Sequence, residues 1–209
     1  YHLTEGLAYE LANPLFTDYA AKERTIYLPP GTSMGFRPDY DFAFPVGAVV
    51  SKKFSLNGSA IETRLLIHRA EGWVPLNYTW ENGRATLNRA GFIRPMKTRV
   101  EKIGEVALNY HVPSLRQCAS CHFINNEIKP IGIRATHLNT RQQLQDWVAQ
   151  KKLTEAPSDL SVVLSEDDWR DASRPIDGRA KAYLEINCAH CHNPKGNARS
   201  TGLYLQAPR

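Results

Sequence analysis

Phe44-Pro45-Val46-Gly47-Ala48-Val49-Val50 runs into Lys52-Lys53-Phe54-Ser55-Leu56, then Asn57-Gly58, then Ile61-Glu62-Thr63-Arg64-Leu65-Leu66-Ile67-His68. Asn-Gly is a strong hairpin signal, because both residues tolerate the positive φ that a two-residue turn between twisted strands requires. The second run is β-branched and partly alternating, as a half-buried strand would be. Working outward, Glu71-Gly72 turns the chain into Trp73-Val74-Pro75-Leu76-Asn77-Tyr78-Thr79-Trp80. Asn82-Gly83 repeats the hairpin signal before Ala85-Thr86-Leu87. Upstream, Tyr27-Leu28-Pro29-Pro30-Gly31 is turn chemistry. Short strands at this spacing predict a β-rich N-terminal domain, a sandwich or small barrel, over residues 1–107. Trp73, Tyr78 and Trp80 read as its core aromatics. Leu3 to Lys22 reads as irregular or helical.

The character changes near residue 108. Tyr110-His111-Val112-Pro113-Ser114 reads as a linker, with Pro113-Ser114 opening a short helix at Leu115-Arg116-Gln117-Cys118. Residues 125–139 read as loop. Thr140 is expected to cap a helix from Arg141 to Leu153, with Leu144, Trp147 and Val148 on one face and Trp147 in the core. After a polar, acidic connector at 154–176, Asp177 is expected to cap Gly178 to Asn187, whose Ala180, Tyr183, Leu184 and Asn187 share a face. The expected fold class is α+β, a β-rich domain followed by a small-helix region.

The four cysteines carry the chemistry. They form two pentapeptides, Cys118-Ala119-Ser120-Cys121-His122 and Cys188-Ala189-His190-Cys191-His192, and none is left over. Cys-x-x-Cys-His is the attachment signature of c-type haem. One helical turn places both thiols against one edge of the porphyrin, and the adjacent His gives its imidazole to the iron. Cys118 and Cys121 would carry haem 1 with His122 as metal ligand; Cys188 and Cys191 would carry haem 2 with His192. Two other readings stay open: one structural zinc shared by the pairs, and disulfides. Zinc does not need a His after each pair, and the gap between the pairs is long. A two-residue disulfide loop is strained, and no thioredoxin-like pattern surrounds either pair.

A six-coordinate haem needs a second axial ligand, usually His or Met. His137, 15 residues after His122, is the favoured one for haem 1; His111, Met96 and His190 are the others weighed, and His68 reads as a strand residue. After His192 no His or Met follows, so the distal ligand of haem 2 is expected from a partner chain, from a C-terminal segment beyond Arg209, or from upstream, unless that site is open. Arg116, Arg134, Arg179 and Arg199 are candidate partners for haem propionates. Tyr183 and Leu184 are expected to pack on haem 2. The resulting layout is 1–107 β-rich, 108–160 the haem 1 module, and 161–209 the haem 2 module, incomplete at its C-terminus.

Composition narrows the function further. With 42% hydrophobic and 22% charged residues, the chain is neither disordered nor fibrous. The net charge of +5 comes with no dense Lys/Arg block, so a nucleic-acid footprint is not expected. No apolar run is long enough to span a bilayer. The start at Tyr1, without an initiator Met, reads either as following a removed targeting segment or as a chain whose N-terminus is not shown.

The C-terminal half resembles c-type cytochrome modules. More broadly, the whole chain resembles a family of secreted bacterial c-type cytochromes with a β-rich N-terminal domain and two Cys-x-x-Cys-His motifs. The resemblance lies in Asn13 to Ala20, Leu28-Pro29-Pro30-Gly31, Phe44-Pro45-Val46-Gly47, Glu62 to His68, Gln117 to His122, Pro130-Ile131-Gly132 and Asn187 to Pro194. It implies secretion to the periplasm or outside the cell, redox partner proteins, and no agreed substrate. The chain is also similar, more faintly, to cytochrome P460, in which a lysine of the β-domain is cross-linked to haem. Lys52 or Lys53 would be that lysine, although the favoured reading of both is an exposed strand residue. The expected function is electron transfer outside the cytoplasm by a dihaem c-type cytochrome, as a subunit of a larger redox assembly, rather than stand-alone enzyme chemistry. The alternatives are a haem oxidoreductase with one open iron, peroxidase-like or acting on a small nitrogen compound, and a structural subunit that wires haems into a complex or filament.

Overall fold

A computed structural model describes residues 6–140, 142–165 and 167–206. The chain opens with β1 (Leu7–Ala8) and β2 (Ala21–Tyr27), then the short strands β3 (Met34–Phe36) and β4 (Phe42–Ala43). A meander follows: β5 (Val49–Leu56), β6 (Ser59–Arg69), β7 (Gly72–Glu81) and β8 (Arg84–Leu87). Strands β1, β2, β5, β6, β7 and β8 form one antiparallel sheet in that order. Both Asn-Gly pairs act as expected. Asn57 and Gly58 join β5 to β6, and Asn82 and Gly83 join β7 to β8, all four with positive φ.

Strand makes up 36% of the chain and helix 19%, so the β-rich reading holds. The sheet is open, however, and is neither a closed barrel nor one of two comparable stacked sheets. The reason lies in what covers it. Ile26, Val50 and Leu66 of the sheet share one core with Leu138, Leu144, Trp147, Leu153 and Ile186 of the second half. The second half buries the sheet's inner face, so no second large sheet is required. Tyr78 and Trp80 are only half-buried, and the Trp80 indole N–H donates to Thr63 Oγ1 at 2.9 Å.

Strands β9 (Phe92–Val100) and β10 (Gly104–Val112) form a separate ribbon that runs past residue 107. Its Tyr110 and Val112 pack with Leu56 and Ile61 in a smaller core. The turn before β9 depends on Gly91. Its φ is +72°, and a Cβ there would lie 2.4 Å from the Ser114 nitrogen and 2.8 Å from the Val112 oxygen. Gly91→Ala should therefore destabilise by about 1–3 kcal/mol, read as a lowered denaturant midpoint. An unchanged midpoint would mean that the junction at 112–114 yields freely.

Ser114 begins α1 (Leu115–His122) with a reciprocal cap. Its Oγ accepts from the Gln117 amide at 3.2 Å, and Gln117 Oε1 accepts from the Ser114 amide at 2.8 Å. There follow the hairpin β11 (Phe123–Ile124) and β12 (Glu127–Ile128), then α2 (Ala135–Leu138), α3 (Gln143–Ala149), β13 (Leu153–Thr154) and α4 (Ile176–Cys188). Residues 125–139 are thus not all loop. No cytochrome-like helical bundle forms among the described residues: the helices are short and separated by strands and turns, and α2, α3 and α4 share one core with the sheet. Leu153 even leaves its expected helix and pairs in parallel with Met34. The cap of α3 is Gln142 in the left-handed region, not Thr140; Arg141 lies outside the described residues.

Helix α4 starts at Ile176, before the expected Asp177 cap. It buries Ala182, Glu185 and Ile186, while Tyr183 and Leu184 face outward. That inverts the expected face, because the side turned to the sheet is the smaller and partly polar one. Among the described residues, no helix is long and apolar enough to cross a membrane.

Candidate functional site

The register of the sheet builds one wall of the site. Across β2, β5, β6 and β7, Ile26 pairs with Val50, Val50 with Leu66, and Leu66 with Pro75. Two residues along the strands, the row reads Arg24, Lys52, Arg64, Asn77. Three cations therefore stand directly opposite one another on neighbouring strands, a placement that normally destabilises a sheet. Lys22 follows one pair further on, opposite Phe54.

These cations line a cavity of about 180 Å³ between the sheet and α1. A single water needs only about 10–15 Å³, so this is no packing defect. Its other walls are apolar, among them Leu15, Phe54, Leu76 and Ile186. Cys118, Cys121 and His122 of α1 open onto it, and so does His190 of the second pentapeptide. Among the described residues that line it, none is Asp or Glu.

The cations are held in different ways. The Lys22 ammonium donates to the Leu15 carbonyl. The Lys52 ammonium donates to the Ile131 carbonyl at 3.1 Å. Burial, then the charge of Arg24, pushes both lysines down to about 7. Arg64 is anchored from the far side: it donates to Glu62 Oε1 at 2.5 Å and lies 4.4 Å from the Phe54 ring centre. Glu62, fully buried, also accepts from the Tyr110 hydroxyl at 2.7 Å. Lys53, by contrast, points outward to Glu23 at 3.4 Å. The two candidate lysines thus separate, and only Lys52 shares the cavity with the cysteines.

His122 is fixed by the hairpin that follows it. The Lys129 amide donates to the His122 carbonyl at 2.9 Å, and His122 Nδ1 lies 2.6 Å from the Lys129 carbonyl. A carbonyl only accepts, so Nδ1 carries the proton and Nε2 keeps its lone pair. Burial, followed by the nearby Lys52 charge, pushes the ring down to about 4, which leaves a neutral imidazole. Cys118 is buried and Cys121 exposed, and neither is bridged. Burial pushes the Cys118 thiol up.

The second pentapeptide continues α4. The His192 amide donates to the Cys188 carbonyl at 2.9 Å, and buried Asn193 donates to the Ala189 carbonyl at 2.8 Å. Cys188, Cys191 and His192 are half-buried, and His192 Nδ1 lies 3.5 Å from the Thr201 hydroxyl. Leu203 and Tyr204 beside it are exposed. The two motifs are stitched together: the Asn125 amide donates to the Lys195 carbonyl at 3.2 Å, and the Asn197 side-chain amide donates to the Ser120 carbonyl.

His137 is buried on α2 and lines a neighbouring cavity with Arg134, Glu185 and His190, not the one into which His122 faces. His111 is exposed on β10, and Met96 packs against the smaller core. His68 stacks on Trp73, their ring centres 4.7 Å apart. His2 lies outside the described residues. Among the described residues that line the first cavity, none is one of the four arginines expected to meet propionates. Arg134 pairs with Glu185 at 3.7 Å, Arg179 donates to the Trp169 carbonyl, and Arg116 and Arg199 are exposed. Tyr183 packs edge-on against Trp169, 5.4 Å between ring centres.

Lys22, Arg24 and Arg64 escaped the sequence reading, although the alternation Val50, Lys52, Phe54, Leu56 carried the signal for this face. Among the described residues, no three His, Cys, Asp or Glu side chains converge on a metal-sized site, so the two cysteine pairs do not form a shared zinc tetrahedron. The donor set does suit haem: two free thiols one helical turn apart, an imidazole with its lone pair free, apolar walls, and a row of cations of which Arg64 pairs with Glu62, while Lys22 and Lys52 are held by backbone carbonyls. Comparison with protein-family models, curated proteins and solved structures finds no match.

Proposed function

We propose that the chain is a dihaem c-type cytochrome that transfers electrons outside the cytoplasm. The observation that supports this most is the pairing, in one cavity, of the first Cys-x-x-Cys-His motif with four cations and, among the described lining residues, no carboxylate. Cys118 and Cys121 hold the first haem as thioethers, and His122 offers Nε2 to its iron. Lys22, Arg24, Lys52 and Arg64 meet the propionates, each charge-assisted contact offsetting part of the cost of burying them. Cys188, Cys191 and His192 do the same for the second haem at the surface, where a redox partner can approach. Haem supplies one-electron iron chemistry, and the protein sets its potential through axial ligands, hydrogen bonds and burial.

The mass of the denatured protein, purified from a host with the haem-attachment machinery, should exceed the polypeptide by two haems. A bare polypeptide mass, or zinc in place of haem, would overturn the reading.

Lys52 favours a second reading, an oxidoreductase acting on a small nitrogen compound. Burial pushes its amine down to about 7, and it shares the cavity with the cysteines of the first motif. A haem-peptide carrying a third covalent bond, from Lys52, would favour this enzyme over the carrier. Haem-peptides bonded only through cysteine would exclude it.

A further inference from the structure

Resting on the haem reading above, we infer that His190, the residue between the two cysteines of the second motif, is the axial partner opposite His122 at the first haem. Four observations converge. His190 lines the cavity into which Cys118, Cys121 and His122 open, and apart from His122 it is the only His or Met among the described lining residues. His190 lies one helical turn beyond Ile186, which lines the same cavity, so one side of this segment is turned toward the first motif. The His190 Nδ1 is buried with no hydrogen-bond partner among the described residues, an arrangement that costs free energy unless something binds there. The Asn125–Lys195 and Asn197–Ser120 hydrogen bonds hold this segment against α1, so the placement does not rest on a loose loop.

The other candidates lack this geometry. His137 lines the neighbouring cavity, His111 is exposed on β10, and Met96 packs in the smaller core. The consequence is a division of labour within one pentapeptide. Cys188, Cys191 and His192 serve the second haem, while His190, two residues from His192, serves the first. A single short peptide then links the two irons, and the first site is complete only when the second motif is folded against it.

The experiment uses holoprotein shown by mass to carry two haems, compared with His190→Ala, His190→Met and His137→Ala. All three variants should keep two covalent haems. His190→Ala should turn one haem per chain high-spin and let the reduced protein bind one more equivalent of carbon monoxide, and added imidazole should restore the low-spin spectrum. His190→Met should stay low-spin and raise the potential of one haem only, as Met ligation does. His137→Ala should leave the spectrum unchanged. A low-spin His190→Ala protein that takes up no extra carbon monoxide would overturn the inference, and so would a high-spin change confined to His137→Ala. Should His190→Ala fail to accumulate, an unshifted potential in His190→Met overturns it equally. Wild-type protein with no covalent haem would instead overturn the haem reading itself.

Discussion

Glu62→Ala should lower the unfolding free energy by about 3–5 kcal/mol, the range found when one partner of a buried ion pair is removed. Glu62 is fully buried at the centre of the inner sheet face, and its Oε1 accepts from both Arg64 and the Tyr110 hydroxyl. Alanine would leave the Arg64 guanidinium facing Lys52 across the β5–β6 pair with no counter-charge. It would also orphan the Tyr110 hydroxyl, which burial keeps protonated far into alkali. Glu62→Gln keeps the volume and an acceptor for Tyr110 but loses the charge, so it should fall between wild type and alanine. Urea midpoints of the three proteins at one pH check this. An alanine variant within about 1 kcal/mol of wild type would mean that Arg64 finds another anion. The Glu62–Arg64 pair would then not be what holds this cation at the cavity wall.

Local signals were legible and long-range ones were not. The turns at Asn57-Gly58 and Asn82-Gly83 and the capped helix at Ser114 each depend on residues a few positions apart, so the sequence carries them directly. The parallel pairing of Leu153 with Met34 spans more than a hundred residues, and nothing local to Leu153 announces it. The same holds for α4. Tyr183 and Leu184 are large apolar neighbours on this helix, yet they face outward while Ala182 and Ile186 are buried. The two Cys-x-x-Cys-His motifs were legible because each is a fixed local spacing.

The cation wall was half legible. Val50, Lys52, Phe54 and Leu56 alternate as an inward face, but a lysine among apolar residues reads most simply as solvated until the neighbouring strands show Arg24 and Arg64 beside it. The placement of His190 was legible least. It depends on how two motifs some 70 residues apart meet, through contacts such as Asn197 to Ser120 that leave no mark on the sequence.

The haem-free chain should become more stable as the pH rises from about 7 to about 8.5, and the holoprotein should do so much less. Lys22 and Lys52 are pushed down to about 7 in the folded chain by burial and by neighbouring arginines, against about 10.4 when unfolded. In this window the unfolded chain keeps protons that the folded chain gives up, so stability rises with pH. Below about 7 both states bind the protons, and the full cost of holding two buried cations remains. With a folded value of about 7, each lysine contributes roughly 1.5 kcal/mol over the interval, an upper figure because the two sites interact. The window stops near 8.5 for a reason. Above it, unfolded thiols ionise while burial holds those of Cys118 and Cys191 protonated, which lowers stability as the pH climbs. Bound propionates would restore the lysines' charge in the folded state and flatten the slope. Urea midpoints of haem-free and holo protein at the two pH values measure the difference, and Lys52→Met should remove about half of the haem-free rise. A flat haem-free profile would mean that water or an internal carboxylate already neutralises the wall. Equal slopes in the two forms would mean that the anionic edge of the haem lies elsewhere.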